Sequence, residues 1–395
     1  RSAGHPPPSL EMAGAALSVA LLGSPLWAAC ALRPEYSQTE AAKFLQYARA
    51  SFCDQDAIAD WDCGDMCEDA AVVPGSVRTE GHGRRPMEAG GHNGRQLCKM
   101  AKQKTPDHGG QRCVVSFRGT VNSMNWQTDA RLILTEWPPP ALHEAGVPAC
   151  PGCEVHSGFV LAYQELRAQV WQSAELIGCN SFTTTGHSLG AAIATLATLD
   201  FRGNGLSVDA FWSFGSPRVG NPDFVSAFVD AARQQGVEMP SWRVVHYHDP
   251  VPHGGPLASY THVPGEVYYK ERDEAAFEVC GWTAQDPENA TCGSRTLGSA
   301  DVIEGLARGD HVEYLNKTLQ LKYMDERCVS TNRCRKQGFV TRAFLVSVAS
   351  AVGLGACCAG ALLALACQRW RCRRAQAVAV AVERADSQVA LARVA

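Results

Sequence analysis

The sequence lacks an excess of charge of either sign, and it has few charged residues for its length. Charged residues make up 19% of the 395 residues, and the formal net charge at pH 7 is −4. Proteins that bind nucleic acid carry a basic surface, which this composition does not supply, so no nucleic-acid partner is expected. The hydrophobic content of 46% is sufficient to bury a substantial core, which favours one large domain with appendages.

The amino-terminal apolar segment lacks the basic residues that usually begin a signal peptide. Residues 12–31 (MAGAALSVALLGSPLWAACA) are apolar and end in small residues, and Ala29-Cys30-Ala31 fits the cleavage pattern of a secretory signal peptide. An uncleaved anchor and a chance apolar run are the alternatives. We therefore predict that residues 1–31 comprise upstream residues and a signal peptide.

A second apolar segment, residues 343–367, carries no charge over 25 positions. At a rise of about 1.5 Å per residue, a helix of this length crosses a hydrocarbon core of about 30 Å. A buried core helix is the alternative. Arginines begin the tail at 368–395, as is typical of a cytoplasmic flank, so we predict a single-pass type I membrane protein with a juxtamembrane linker at 326–342. Small residues would permit a homodimer through this helix: Ala351, Gly355 and Ala359.

Most of the 17 cysteines lie between the two apolar segments. Twelve are found there: Cys53, Cys63, Cys67, Cys98, Cys113, Cys150, Cys153, Cys179, Cys280, Cys292, Cys328 and Cys334. An even number on one side of a membrane favours disulfides in an oxidising compartment. Two N-glycosylation sequons, which begin at Asn289 and Asn316, lie on the same side. These features predict a secretory-pathway protein with a lumenal or extracellular domain.

Two of the cysteine groups also allow other interpretations. The spacing of Cys63 and Cys67 resembles a metal site, but no histidine joins them, so no metal is predicted there. Cys150-Pro-Gly-Cys153 resembles a redox motif, but no βαβ pattern precedes it. Structural disulfides are the better interpretation of both groups.

Residues 32–325 alternate between strand-like and helix-like segments. Strands are expected at 113–117, 182–185, 208–214 and 242–247, and helices at 39–51, 156–177, 189–201 and 222–235. Such alternation predicts an α/β fold with a mainly parallel central sheet and helices on both faces. Residues 78–111 have almost no apolar periodicity, which predicts a long loop or insertion.

A serine flanked by glycines follows one of these strands. In the run Gly186-His187-Ser188-Leu189-Gly190, the glycines permit the sharp strand-to-helix turn that exposes a nucleophilic hydroxyl. The run lies between a strand-like segment and an apolar helical segment, which is the context that a nucleophile turn requires. The amide of Leu189 is then expected to be one donor of an oxyanion hole.

A serine nucleophile also needs a base and an acid, which in α/β-hydrolases follow it in the order acid, then histidine. Asp249 comes directly after the strand at 242–247, so its carboxylate is expected at the same edge of the sheet as Ser188. His311 is expected to take the serine proton. The alternative is a structural aspartate and an exposed histidine. Three histidines near Asp249 are expected only to shape the site: His246, His248 and His253.

Several motifs, in the same order along the chain, resemble those of the class 3 lipases, also known as fungal-type triacylglycerol lipases. They are VVSFRGT at 114–120, VHSGF at 155–159, GHSLGAA at 186–192, FGSPRVGN at 214–221, VVHYHDPVPH at 244–253 and DHVEYL at 310–315. The resemblance implies an α/β-hydrolase fold, a triad of Ser188, Asp249 and His311, and no cofactor.

The same resemblance implies two features that follow the strand at 113–117. Thr120 would supply a second oxyanion donor, and residues 121–136 would form a lid with Trp126 over the acyl groove. The chain departs from the family in its longer connection after Trp137. It also departs at 78–111, where no regular hairpin is expected.

Together these features favour a membrane-anchored lipase that cleaves carboxylic esters of glycerolipids through an acyl-enzyme. Apolar residues in and beside the lid segment, among them Leu134 and Trp137, favour lipid over feruloyl esters. The alternatives are a feruloyl-type esterase and a catalytically silent surface receptor on a hydrolase scaffold.

Overall fold

The computed structural model describes residues 34–319, except for 54–57, 60, 62, 68–69, 71, 74, 81–97, 103–111, 120–132, 234–237, 254–258, 275, 281–286, 289–291 and 293–297. The chain divides into two compact units, Arg1–Arg33 and Pro34–Ala395, and every described residue belongs to the second. Several predictions fall outside the described residues: the signal peptide, Thr120, most of the lid segment with Trp126, Asn289, the linker 326–342, the segment 343–367 and the tail 368–395. Within the described part of the chain, no helix has the length and apolar character needed to cross a membrane.

Helices and strands alternate through most of the described region. The helices are α1 (Gln38–Ala50), α2 (Pro140–Glu144), α3 (Ser157–Ile177), α4 (Leu189–Gly203), α5 (Pro222–Ala232), α6 (Pro250–His253) and α7 (Ser299–Arg308), with 3₁₀ turns at Gly64–Met66 and Asp310–Val312. The strands are β1 (Arg78–Glu80), β2 (Cys98–Lys102), β3 (Arg112–Phe117), β4 (Leu134–Glu136), β5 (Glu154–His156), β6 (Ser181–His187), β7 (Ser207–Phe214), β8 (Ser241–His246), β9 (Glu266–Tyr269), β10 (Phe277–Cys280), β11 (Glu313–Tyr314) and β12 (Lys317–Thr318). The predicted strands and helices are confirmed to within a few residues at their ends.

The central sheet has the strand order β1-β2-β3-β6-β7-β8-β9-β10. The five middle strands are parallel to one another: β3, β6, β7, β8 and β9. The outer strands β1, β2 and β10 pair antiparallel with their neighbours. Neighbouring residues of β7 point to opposite faces, because Phe211 packs with α3, α4 and α5 whereas Trp212 packs with α1. The prediction of a mainly parallel sheet with helices on both faces is confirmed.

The segment 78–111, predicted to be a long loop or insertion, contains two strands, β1 and β2. Strands β1 and β2 pair with each other and β2 pairs with β3, which forms the antiparallel edge of the sheet. The lysines of β2 break the apolar periodicity that a strand usually shows, although Met100 and Ala101 are buried.

The carboxyl end of the predicted lid is also corrected. Residues Leu134–Glu136 form β4, which pairs with β5 in a separate two-stranded sheet. Trp137, counted in the sequence as an apolar residue beside the lid, is 1% exposed and packs in the core near Tyr163 and Phe224. The pairing with β5, which begins 18 residues after Glu136, holds this segment against the domain. The apolar character of Trp137 therefore reflects the core, whereas Leu134 is half-buried and Ile133 is 53% exposed.

Disulfides stabilise several of the connections. Cys63 is bonded to Cys67 and Cys150 to Cys153, which confirms the structural interpretation of both groups. Cys113 is bonded to Cys179 and thereby joins the start of β3 to the turn before β6. A fourth disulfide joins Cys280 to Cys292. These bonds agree with the oxidising compartment that the cysteine count predicts.

Candidate active site

Ser188 occupies the turn between β6 and α4. Its backbone has φ 59° and ψ −127°, a region that residues other than glycine rarely adopt. The Ser188 amide donates to the carbonyl oxygen of Phe214, at 3.0 Å, which ties the turn to the end of β7. A strained residue that its surroundings hold in place is typical of a nucleophile turn.

The glycines on either side of Ser188 are required by close backbone contacts. A Cβ on Gly186 would lie 2.4 Å from the carbonyl oxygen of Gly190, and a Cβ on Gly190 would lie 2.1 Å from the carbonyl oxygen of Phe117. No side chain fits at such distances. The motif therefore allows α4 to pack directly against the end of β3.

Ser188, His311 and Asp249 form one chain of hydrogen bonds. The Oγ atom of Ser188 lies 2.8 Å from Nε2 of His311, and Nδ1 of His311 lies 2.9 Å from each carboxylate oxygen of Asp249. A carboxylate only accepts, so Nδ1 carries the proton and Nε2 is left to accept from the serine hydroxyl. The structure thus gives His311 the tautomer that a general base needs.

Asp249 is fully buried and accepts further hydrogen bonds. Its carboxylate accepts from the hydroxyl of Tyr314 and from the amide of Val251, the latter at 2.9 Å. Burial by itself raises the pKa of this carboxyl group, but the charge of His311 and the hydrogen bonds from His311, Tyr314 and Val251 outweigh burial, so the pKa of Asp249 is lowered. The carboxylate therefore stays ionised beside the imidazole.

Two other histidines hold the backbone that carries His311. Nε2 of His187 donates to the carbonyl oxygen of His311, at 2.7 Å, and Nδ1 of His246 donates to the carbonyl oxygen of Asp310, at 3.0 Å. Burial, together with the nearby charge of His311, lowers the pKa of His187 to about 3. His187 is therefore neutral near pH 7 and keeps a single N–H for this bond.

Two residues beside Asp249 were not assigned a role from the sequence. Tyr314 belongs to the motif at 310–315, and burial, with the charge of Asp249, raises its pKa well above the usual value, so it remains a donor. Gly215 has φ +57°, and a Cβ there would lie 2.8 Å from Oδ2 of Asp249 and 3.1 Å from Cε1 of His311. A glycine directly after a predicted strand was the available signal for Gly215.

One of the two backbone groups expected to form an oxyanion hole, the amide of Leu189, lies directly after Ser188. Leu189 is the first residue of α4, so no helical hydrogen bond uses its amide. At the end of β3, a Cβ on Gly119 would lie 3.4 Å from the Cβ of Ser188. Thr120 lies outside the described residues, so its role as a second donor stays a prediction.

The other residues singled out from the sequence near Asp249 and His311 bind to groups outside the proposed triad or lie at the surface. Asp310 accepts from Nε of Arg272, at 3.0 Å. His253 donates to the carbonyl oxygen of Asp249, and His248 faces α7. Asn316 is exposed in the turn between β11 and β12, and its glycosylation stays a prediction.

Comparisons with known proteins show which family this chain is similar to. Residues 114–258 match the family model described as Lipase (class 3). A secreted mono- and diacylglycerol lipase of Fusarium solani is 30% identical over 276 residues, which cover 65% of this chain and 71% of that protein. Secreted mono- and diacylglycerol lipase A of Penicillium cyclopium is 34% identical over 175 residues, or 43% of this chain and 52% of that protein.

A solved structure shows the same fold. The native lipase–propeptide complex of Rhizomucor miehei superimposes with a TM-score of 0.55 at 25% identity, and the match covers 73% of this chain and 84% of that one. The chain therefore belongs to the class 3 lipase family of the α/β-hydrolase superfamily and is a carboxylic ester hydrolase.

Proposed function

We propose that this protein hydrolyses acyl esters of glycerolipids through a catalytic triad of Ser188, His311 and Asp249 and a covalent acyl-enzyme. The observation that carries the proposal is the continuous chain of hydrogen bonds from the serine hydroxyl through the imidazole to a buried carboxylate. Relatives whose names specify mono- and diacylglycerols support a glycerolipid substrate, so these two are the first esters to test.

In the proposed first step, Oγ of Ser188 attacks the ester carbonyl carbon while Nε2 of His311 takes the hydroxyl proton. The amide of Leu189, with Thr120 as its proposed partner, donates to the oxyanion that forms. As the tetrahedral intermediate collapses, His311 gives its proton to the leaving glycerol oxygen. The acyl group remains as an ester on Ser188.

Water then reverses these roles. His311 takes a proton from water, the hydroxide attacks the acyl carbon, and Ser188 regains the proton as the fatty acid leaves. Asp249 stays ionised throughout, because its lowered pKa favours the charged form, and it stabilises the imidazolium in both steps. No cofactor takes part in these steps.

Active-site labelling tests the role of Ser188. We expect a fluorophosphonate probe to label the wild type and the Ser188→Ala variant to lose both labelling and about 10⁴-fold or more of its ester hydrolysis. Ser226→Ala, on an exposed face of α5, is the matched control and should keep both. Unchanged turnover in Ser188→Ala would refute the proposed mechanism.

Replacement of His311 tests the proposed base. His311→Ala removes the group that takes the serine proton, so we expect it to lose about 10⁴-fold or more of the ester hydrolysis. Ester hydrolysis by His311→Ala at the wild-type rate would argue against a histidine base.

We also propose that the catalytic domain lies in the secretory pathway or outside the cell and is anchored by residues 343–367. The disulfides and the word "secreted" in the names of two relatives support the compartment. The uncharged run of 25 residues, followed by arginines, supports the anchor. Protease protection of the tail in intact membrane vesicles, with the domain accessible only on the opposite side, tests both.

A further inference from the structure

Arg218 and Glu288 form an ion pair in the interior of the protein. The guanidinium donates twice to the carboxylate, from Nε to Oε1 and from Nη2 to Oε2, each at 2.8 Å. Only 1% of the Arg218 side chain and 4% of the Glu288 side chain are exposed. Burial of two charges costs desolvation that their attraction barely offsets, so such a pair is weak evidence for a role in stability. The segments that the pair joins are therefore more informative than the pair itself.

Glu288 also accepts from a second segment of the chain. Its Oε1 atom accepts from the amide of His262, at 2.8 Å, and from the hydroxyl of Thr261, at 3.4 Å. Burial by itself raises the pKa of Glu288, but the hydrogen bonds and the charges of the nearby arginines outweigh burial, so the pKa is lowered. The carboxylate is therefore ionised near neutral pH and accepts from both segments at once.

His262 connects this carboxylate to the helix that follows Asp249. Nε2 of His262 lies 2.8 Å from the carbonyl oxygen of Pro252. A carbonyl oxygen only accepts, so this nitrogen carries the proton and donates. Pro252 belongs to α6, which begins directly after Asp249 and whose Val251 amide donates to the Asp249 carboxylate. The position of α6 therefore determines where that donor meets the carboxylate.

Arg218 connects Glu288 to another segment that touches Asp249. It lies three residues after Gly215, where a Cβ would be 2.8 Å from Oδ2 of Asp249. The two residues between Gly215 and Arg218 are buried, so a displacement of Arg218 reaches Gly215 through a closely packed segment. Glu288 thus joins two segments, one in contact with Asp249 and one bonded to the helix after it.

A disulfide restricts the segment that carries Glu288. Cys280, the last residue of β10, is bonded to Cys292, and Glu288 lies between the two in sequence. A closed loop loses less conformational entropy when it becomes ordered. The disulfide therefore favours the arrangement in which Glu288 meets its partners.

We propose that Glu288 is a positioning residue for Asp249. It acts through its bonds to Arg218 and to the His262 amide. The inference rests on the proposed function, because it requires Asp249 to belong to a catalytic triad. Asp249 orients the imidazole of His311, and a small displacement of such a group lowers the rate although every reacting atom is still present. A pair that only stabilised the fold would leave kcat of the folded protein unchanged.

A double-mutant cycle in the full-length protein tests this role. We expect Glu288→Gln to lower kcat for a soluble short-chain ester about tenfold or more, with KM nearly unchanged, because the orientation of His311 is disturbed but ester binding is not. In the Asp249→Ala background the same substitution should cause no further loss, since the group on which it acts is gone.

The two ways in which this cycle can fail are distinguishable. Equal proportional losses of kcat in both backgrounds, or no loss in either, would overturn the inference and leave the proposed function in place. Unchanged turnover in Asp249→Ala itself would refute the proposed function and, with it, this inference.

Asp200→Asn is the matched control. Asp200 forms a similarly buried ion pair with Arg167, at 2.7 Å, but it lies in the last turn of α4, at the end opposite Ser188. Both substitutions remove the charge of a buried carboxylate, so both should lower the free energy of unfolding. Only Glu288→Gln should lower kcat, measured at a temperature at which both variants are folded. A parallel loss of kcat in Asp200→Asn would overturn the inference.

Two variants of His262 leave the ion pair intact. His262→Phe keeps the backbone amide that donates to Glu288 but cannot donate to Pro252, so we expect kcat to fall about threefold or more. His262→Gln should keep kcat near the wild-type value, because its side-chain amide can donate at the position of ring Nε2. Equal kcat in these two variants would overturn the inference even if Glu288→Gln failed to fold.

Discussion

Helices α4 and α7 adjoin two members of the proposed triad, and each is pressed by a glycine against a carbonyl oxygen. Gly190 of α4 meets Phe117, and Gly305 of α7 meets His248. The helices otherwise differ, since most of α4 is buried whereas only Gly305 is buried in α7. A close glycine contact therefore does not by itself place a helix in the core.

The difference follows from the neighbours of each helix. Helix α4 is enclosed by the sheet, α3 and α5, and its Asp200 accepts hydrogen bonds from Tyr163, Arg167 and Trp171 of α3. Helix α7 contacts the protein along one side only and has solvent on the other. The proposed nucleophile thus directly precedes a helix that cannot shift without disturbing the core, whereas the proposed base follows a surface helix.

The largest expected effect on stability comes from replacing Gly190 of α4 or Gly305 of α7 with alanine. Gly190→Ala should lower the free energy of unfolding by about 3 kcal/mol or more and nearly abolish activity, because α4 has no room to move away from Phe117. Gly305→Ala should cost about half as much, because α7 can shift toward solvent and alanine favours helix. Denaturant unfolding measures both values.

Hydrolysis of a soluble ester by the two glycine variants completes the comparison of α4 with α7. Gly305→Ala should lower kcat measurably, because the shift is transmitted through His248 to Asp249. Equal losses of stability in the two variants would show that α7 is as constrained as α4, and the contrast between the helices would then be wrong.

The next largest effect concerns His187, which directly precedes Ser188 and donates to the carbonyl oxygen of His311. Its pKa of about 3 lies below the value of about 6.5 in an unfolded chain, so the unfolded state binds more protons between these values. Stability should therefore fall as the pH drops from about 6.5 towards 3. His187→Asn should reduce stability at pH about 7 but make this decline shallower, since no proton binds there.

Chemical unfolding at several pH values measures that slope. His262, another buried histidine whose pKa is lowered well below the usual value by burial and by nearby arginines, contributes equally to both proteins. An identical slope in wild type and variant would contradict the assignment of a neutral, buried His187. The variant should also lose kcat, because the carbonyl oxygen of His311 loses its donor.

The smallest expected effect is the loss of stability when an alanine of α4 or of α7 is replaced by serine. Ala197→Ser places a hydroxyl in the fully buried part of α4 and should lower the free energy of unfolding by about 1–2 kcal/mol. Ala307→Ser, on the exposed arc of α7, should cost about 0.5 kcal/mol, which reflects helix propensity alone. Thermal melting of both variants checks the difference, and equal shifts would contradict the exposed position of Ala307.

The active-site elements were the most predictable part of the chain, because local patterns describe them. The run from Gly186 to Gly190 predicted a strand, a turn and a helix, and the structure has all three. Asp249 follows a predicted strand, so its place at the sheet edge required only the rule that parallel strands end at the same edge. These inferences depend on short stretches of sequence.

Other features could not be predicted, because they depend on contacts between distant residues. Strands β1 and β2 lack apolar periodicity and exist through pairing at the edge of the sheet. An apolar residue such as Trp137 is expected both in a lid and in a core, so the sequence does not distinguish the two positions. Only its packing on Tyr163 shows that it belongs to the core. The bond from His187 to the carbonyl oxygen of His311 joins residues 124 positions apart.

The sequence by itself determined the nucleophile turn, the alternation of strands and helices, and the order of serine, acid and histidine. Those features arise from local conformational preferences and from glycines that allow two backbone segments to lie in direct contact. The tertiary structure decided which nitrogen of His311 faces Ser188, how Tyr314 and Val251 hold Asp249, and which side of α7 faces solvent. Each of these depends on burial and hydrogen bonding among residues that meet only after the chain has folded.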